Sequence, residues 1–192
     1  MKICIYGAGA IGGYVGAELD RVDGIDVSLI ARGPHLEAIK SNGIKLLIND
    51  EERTSKPFAT SNPSDLGPQD CVIIALKSHQ AWEVAEDMLP LIGQHTSVVT
   101  CQNGVPWWYF YSLDGQYRDL RLASVDPGDR QWNTIGPERA IGCVVYPAAE
   151  IMEPGVIKHI YGNKFALGEP SGIETPRSLK LSEAIQAAGL KA

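Results

Sequence analysis

The sequence predicts an α/β fold, doubly wound around a mostly parallel sheet, with antiparallel strands late in the chain. Three observations carry this. Short apolar runs alternate with helical stretches through the first half of the chain, as crossover-connected parallel strands require. A G-x-G-x-x-G pattern (Gly7, Gly9, Gly12) lies between the first apolar run and the first helical one. The runs that end at Arg32, Lys77 and Asn103 each place a polar residue just past their carboxyl end, where open α/β sheets bind ligands. At 192 residues, 44% hydrophobic and 21% charged, the chain suits one compact domain with at most a fragment of a second.

Met1 to Ala8 is the first strand. Ala10 to Leu19 follows as a helix whose Ile11, Val15 and Leu19 recur at the spacing of one buried face. Asp26 to Ile30 is the second strand. A helix from His35 to Ser41 stops at Asn42-Gly43, and Ile44 to Ile48 returns as a strand. Asn49 to Asn62 is polar and reads as a hairpin or loop. Cys71 to Leu76 is the clearest buried strand, followed by a helix from Ala81 to Leu89 that ends near Pro90, and Ser97 to Gln102 is the next strand. Pro106 precedes five aromatics, Trp107 to Tyr111. They read as a helix packed on the sheet, or as an apolar wall or lid beside a ligand. Leu113 to Gly136 is a long surface excursion. Ala140 to Tyr146 is a strand, while Gly155 to Tyr161 and Lys164 to Gly168 alternate like a hairpin turning at Gly162-Asn163. Thr175-Pro176 opens a last helix with Leu179, Ile185 and Ala188 as its buried positions.

The glycines point to a dinucleotide. Gly7 permits the tight turn, Gly9 lets backbone approach a pyrophosphate, and Gly12 lets helix lie close to sheet. The helix then offers unpaired N–H groups and its positive dipole end to the phosphates. Sites for NAD or FAD usually place a carboxylate at the end of the second strand. Here Arg32 stands there, and a guanidinium suits a 2′-phosphate, which favours NADP. Lys77 would face phosphate or carboxylate, and Asn103 could bond a ribose or a carboxamide.

Other classes are disfavoured. A net charge of −6 gives no footprint for nucleic acid. No run of about 18 apolar residues exists to span a membrane, and the first residues already form the motif's strand, leaving no room for a leader. Cys4, Cys71, Cys101 and Cys143 lie in or beside apolar runs with no C-x-x-C pair, so reduced thiols in a cytoplasmic protein are expected, and no metal site. His35, His79, His95 and His159 form no spaced cluster and read as structural or solvated.

Five segments together resemble the ketopantoate reductase (2-dehydropantoate 2-reductase) family. They are Gly7-Ala8-Gly9-Ala10-Ile11-Gly12-Gly13, Ala31-Arg32-Gly33, Leu76-Lys77, Gln102-Asn103-Gly104-Val105 and Pro154-Gly155-Val156-Ile157. The resemblance covers essentially the whole chain. It implies reduction of a branched 2-oxo acid to the 2-hydroxy acid with NADPH, on the route to pantothenate. It implies a Rossmann-type cofactor domain over residues 1–174, and a terminal helix over 175–192 leading to a helical substrate domain, through which a homodimer could form. Residues Gly7, Ala8, Gly9, Ala10, Ile11 and Gly12 would then bind pyrophosphate and Arg32 the 2′-phosphate. Lys77 would contact the cofactor. Asn103 would sit between the nicotinamide ribose and the substrate, and backbone near Ala148 would close over the cofactor. The family's catalytic lysine and glutamate match nothing here, so no catalytic residue is assigned. Three alternatives stay open: a stand-alone NADP-binding regulatory module, a reductase of another 2-oxo acid, and a two-domain dehydrogenase of the 3-hydroxyacyl or 6-phosphogluconate kind.

Overall fold

A computed structural model describes residues 1–192. In chain order the elements are β1 (Lys2–Tyr6), α1 (Ala10–Leu19), β2 (Asp26–Ile30), α2 (Gly33–Asn42), β3 (Ile44–Ile48), β4 (Glu51–Ser55), β5 (Phe58–Thr60) and β6 (Cys71–Ile74). There follow α3 (Ser78–Ala81), β7 (Ser97–Cys101), α4 (Arg130–Thr134), β8 (Ala140–Val145), β9 (Ala148–Glu153), β10 (Val156–Tyr161), β11 (Phe165–Gly168) and α5 (Pro176–Ala187).

The main sheet runs β11-β8-β7-β6-β1-β2-β5, parallel except for β11 on β8. Without β11 this is the strand order of doubly wound dinucleotide folds, whose direction reverses beside the first strand. β6 and β7 are buried along their whole length, and β1 and β2 all but their first residue, because both faces are covered. Ile3 and Ile5 join one core with Leu29, Ile73, Val99 and Ile141. Cys4 and Tyr6, on the opposite face, join a second core with Val72, Ile74, Met88 and Trp107.

A smaller sheet, β4-β3-β10-β9, covers the far side of α1. That helix is buried from Gly12 to Leu19 because it lies between two sheets. Its glycines mark both close approaches. A Cβ at Gly12 would fall 2.0 Å from the Gly7 carbonyl oxygen and 2.9 Å from Ala75 Cβ, on the main-sheet side. A Cβ at Gly13 would fall 2.0 Å from Ile157 Cδ1, on the small-sheet side. Glu18, 4% exposed, is held at 2.8 Å by Arg53 of β4.

Several expectations need correction. Gly155–Tyr161 and Lys164–Gly168 do not form a hairpin: β10 pairs with β9 and β3, while β11 crosses to the main sheet beside β8. Alternation reports that one face of a strand is buried, not which strand it pairs with. The expected helix over Ala81–Leu89 is α3 followed by two 3-10 segments, Trp82–Val84 and Glu86–Leu91, the second containing Pro90, which has no N–H to donate. The aromatic run is a string of turns, not a helix. Trp107 is nonetheless 2% exposed, and Trp108 donates its indole N–H to Thr100 Oγ1 at 3.2 Å. The polar stretch after β3 does turn back as β4, through Asn49 and Asp50 at positive φ, but it then adds β5 to the edge of the main sheet. In α5 the buried positions are Ser178, Leu181, Ala184 and Ile185, while Leu179 is exposed and Ala188, just past the helix, is half-buried. Thr175 caps this helix in a capping box with Ser178.

Candidate functional site

Equivalent positions align at the carboxyl edge of the main sheet: Tyr6 stands beside Ile30 and Ile74, and Ile74 beside Thr100. Between the ends of β1 and β2 lies a cleft of about 180 Å³. Gly7, Ala8 and Gly9 line it from the loop, Ile30, Ala31 and Arg32 from the end of β2, and His35 from α2. Tyr6, Leu76 and Ile151 complete it. Two larger hollows, of about 500 and 560 Å³, lie at the β3–β4 turn and along the Leu113–Gly136 excursion. Both are polar surface depressions away from the ends of the parallel strands, so topology favours the smaller cleft.

The glycine loop is laced to the sheet and open at the helix. The N–H groups of Gly7 and Ala8 both donate to the Ile30 carbonyl at 3.1 Å. The first helical bond runs from the Gly13 N–H to the Gly9 carbonyl at 2.7 Å. That leaves the N–H groups of Ala10, Ile11 and Gly12 with no partner in the chain. No side chain caps α1, and no acid stands in its first turn to compete for those donors. Arg32 is the residue preceding α2, exposed, and enters no ion pair. Arg32 lines the cleft together with Gly7, Ala8 and Gly9, and the three unpartnered backbone donors follow at the next residues of the chain, an arrangement suited to a multiply charged anion. At the base of the cleft, burial pushes the Tyr6 hydroxyl up to about 12, with the Asp87 charge adding to the effect, so it stays a neutral phenol.

Of the other expected residues, Ala10, Ile11 and Gly12 follow the cleft in α1, Lys77 and Asn103 lie at the same edge of the main sheet, and Ala148 lies in the smaller sheet; none of them lines the cleft. Lys77 is exposed at the start of α3, directly after the cleft residue Leu76. Asn103 is tied to β8: its Nδ2–H donates to the Val145 carbonyl and its Oδ1 accepts from the Val145 N–H, both at 3.0 Å. One amide hydrogen and one lone pair remain for anything else. Ala148 opens β9 opposite Tyr161. Further along that strand it is Ile151 that reaches the cleft.

Two residues gain importance that the sequence did not give them. Ile151 carries no motif. His35 stands where α2 begins, a place where a polar side chain can reach the glycine loop, and that was the available signal. The Gly155 N–H donates to His35 Nδ1 at 3.1 Å. Nδ1 therefore carries no proton, and the Nε2–H donates to the Ala8 carbonyl at 2.7 Å. The thiols are remote from this chemistry. All four are buried and form no disulfide, and burial pushes Cys4 up to about 12, with the neighbouring Ser28 hydroxyl working weakly the other way. The neighbouring Cys143 thiol and burial raise Cys101 as well.

The family model for ketopantoate reductase PanE/ApbA matches residues 3–172. The chain belongs to the ketopantoate reductase family. It is 50% identical over its full length to a 2-dehydropantoate 2-reductase of Mesorhizobium japonicum, of which it covers 59%. A crystal structure of a candidate ketopantoate reductase from Ralstonia solanacearum superposes with a TM-score of 0.93 at 40% identity, over 99% of this chain and 59% of that one. A 2-dehydropantoate 2-reductase from Geobacter metallireducens gives 0.80 at 30%, over all of this chain and 56% of that one. The chain thus spans a little over half the length of these ketopantoate reductase relatives. No helix in it is long and apolar enough to cross a membrane.

Proposed function

We propose that this chain is the cofactor-binding portion of an NADPH-dependent reductase of 2-dehydropantoate (ketopantoate) or a related 2-oxo acid. The observation that carries the reading is a cleft lined by Gly7, Ala8, Gly9 and the unpaired Arg32, with the unpartnered N–H groups of α1 beginning at the very next residue. The name shared by the Mesorhizobium and Geobacter relatives supports the substrate class.

The residues present fit the cofactor. Ala10, Ile11 and Gly12 would donate to the pyrophosphate from α1, with Gly7, Ala8 and Gly9 letting it approach. Arg32 would take the 2′-phosphate. Lys77 would add a cation at the same edge, and Asn103 would spend its remaining hydrogen-bonding capacity on the nicotinamide ribose or the substrate. Backbone near Ala148 would close over the far end. The chemistry such a cofactor supplies is a hydride for the carbonyl carbon. An alkoxide formed from that carbonyl would need a proton donor, and Lys77, exposed at this edge, would be engaged by the cofactor. The donor is therefore assigned to the portion of the relatives outside the aligned region, and the 192-residue chain is expected to bind NADPH without turning over ketopantoate.

Calorimetric titration of the purified chain with NADPH and with NADH tests the reading. NADPH is expected to bind more tightly. Equal affinity for the two, or no binding of either, would refute it.

A further inference from the structure

His35 joins three parts of the molecule that are distant in sequence. Its ring lies at the start of α2. Its Nε2–H holds the Ala8 carbonyl of the glycine loop, 27 residues away, and its Nδ1 holds the Gly155 N–H of the β9–β10 turn, 120 residues away. Neither bond is needed to form α2. The ring also lines the cleft, next to the loop it bonds.

We infer that His35 is a positioning residue for the pyrophosphate of a bound dinucleotide, an inference that rests on the cofactor reading above. The peptide between Ala8 and Gly9 is trans, as are all peptide bonds in the chain. A trans peptide sets its C=O and N–H antiparallel. By drawing the Ala8 carbonyl onto its Nε2–H, the imidazole turns the Gly9 N–H the opposite way, and it keeps a carbonyl dipole from facing an incoming phosphate. The Ala8 N–H is already spent on the Ile30 carbonyl, so the peptide on the other side of Ala8 is pinned as well. With both peptides fixed, the loop reaches the anion without reorganising, and preorganisation of this kind raises affinity. The second bond, to Gly155, fixes the ring itself and selects the tautomer that has its proton on Nε2.

The two ring nitrogens can be separated by substitution. The amide of Gln reaches the place of Nε2 and can still donate to Ala8, whereas the shorter Asn places its oxygen near Nδ1 and can accept only from Gly155. The experiment titrates NADPH, and separately adenosine 2′-monophosphate, which has neither phosphate of the pyrophosphate, into the wild-type chain and into His35→Ala, His35→Asn and His35→Gln, with thermal unfolding of each. The expected result is NADPH binding weaker by about tenfold in the Ala and Asn variants, as for loss of one charge-directed hydrogen-bond arrangement. Affinity should be largely restored in the Gln variant, with the binding of adenosine 2′-monophosphate unchanged in all three. Should His35→Ala not fold, the Asn and Gln pair carries the comparison. The inference is overturned if NADPH affinity is unchanged in the variants, if Asn rescues and Gln does not, or if both ligands weaken together. Failure of the wild-type chain to bind NADPH would overturn the cofactor reading as well, so the two failures are distinct.

Discussion

Two glycines one residue apart in α1 meet obstacles at the same distance, and their substitution should have opposite consequences. Alanine at Gly12 places a Cβ 2.0 Å from the Gly7 carbonyl oxygen, with Ala75 Cβ at 2.9 Å and Ile5 Cγ2 at 3.0 Å. The nearest obstacle is backbone, and that backbone is the loop whose N–H is bonded to Ile30. It cannot move without breaking the loop. Overpacking of a tight core costs about 1–3 kcal/mol, and a backbone clash belongs at or above the top of that range. Against it stands the helix propensity of Ala over Gly, about 1 kcal/mol. Gly12→Ala should therefore lose about 2–3 kcal/mol, which for a chain of this size lowers Tm by roughly 4–12 °C. Alanine at Gly13 meets Ile157 Cδ1, the free end of a side chain that can change rotamer, with the next contact, the Ala8 carbonyl oxygen, at 3.4 Å. The same propensity gain should then nearly cancel the cost, leaving Gly13→Ala within about 1 kcal/mol of wild type. Urea unfolding of the three proteins measures both. A Gly12→Ala protein as stable as wild type, or a Gly13→Ala protein as damaged as Gly12→Ala, would refute the reasoning that the rigidity of the obstacle decides the outcome.

Three further outcomes are expected. Arg32→Ala should remove most of any preference for NADPH over NADH, a loss of about 1.5–3 kcal/mol in NADPH binding by calorimetry, while NADH affinity stays put. Lys77→Ala should weaken NADPH binding by roughly tenfold and leave Tm unchanged, because the side chain is exposed and unpaired; a fall in Tm would show it to be structural. Glu169 accepts from Arg177 Nε at 2.9 Å with its side chain 4% exposed. Burial works against its charge, but the Arg177 and Thr175 hydrogen bonds outweigh burial and hold the carboxyl below the usual range. A carboxyl lowered on folding contributes stability above its unfolded pKa, near 4.3, and that contribution fades as pH falls through the folded value. Glu169→Gln should thus cost about 1.5–3 kcal/mol at neutral pH and flatten the acid limb of a stability–pH profile; an unchanged limb would show the ion pair to be irrelevant there.

What the sequence disclosed follows from which interactions are local. β1, β2, β6 and β7 were legible because burial on both faces leaves near-continuous apolar runs. The glycine loop and Arg32 were legible because a turn, a helix start and a strand end are neighbours in the chain. Of the small sheet, β3, β10 and the turn into β4 were legible, but β9 and the pairing that makes them one sheet were not. β9, with Glu150 and Glu153 among its exposed residues, has no strand-like pattern, and β10 finds its parallel partner in β3, with Val156 beside Lys45. No periodicity in either segment encodes that pairing. The 3-10 turns after α3 were hidden because helical spacing of Ala81, Ala85 and Met88 is the same whether the turns are α or tighter, and Pro90 settles the matter only through its missing donor.

The site shows the same division, and it explains why the motif alone understates the structure. Gly7 to Gly12 specify where backbone donors can sit, but not what keeps them there. That task falls to the layer on the far side of α1. Ile157 packs against Gly13, the Tyr14 ring lies 4.8 Å from that of His159, Arg53 holds Glu18, and Ile151 reaches the cleft from the same small sheet. His35 adds a polar tie from that sheet to the loop itself. A helix whose first N–H groups are left unbonded depends on solvent or a ligand to satisfy them. Clamping the helix between two sheets fixes those donors in place before any anion arrives. If the cleft takes a dinucleotide as proposed, the small sheet, invisible in the motif, serves that binding by holding the loop in the shape that the glycines only permit.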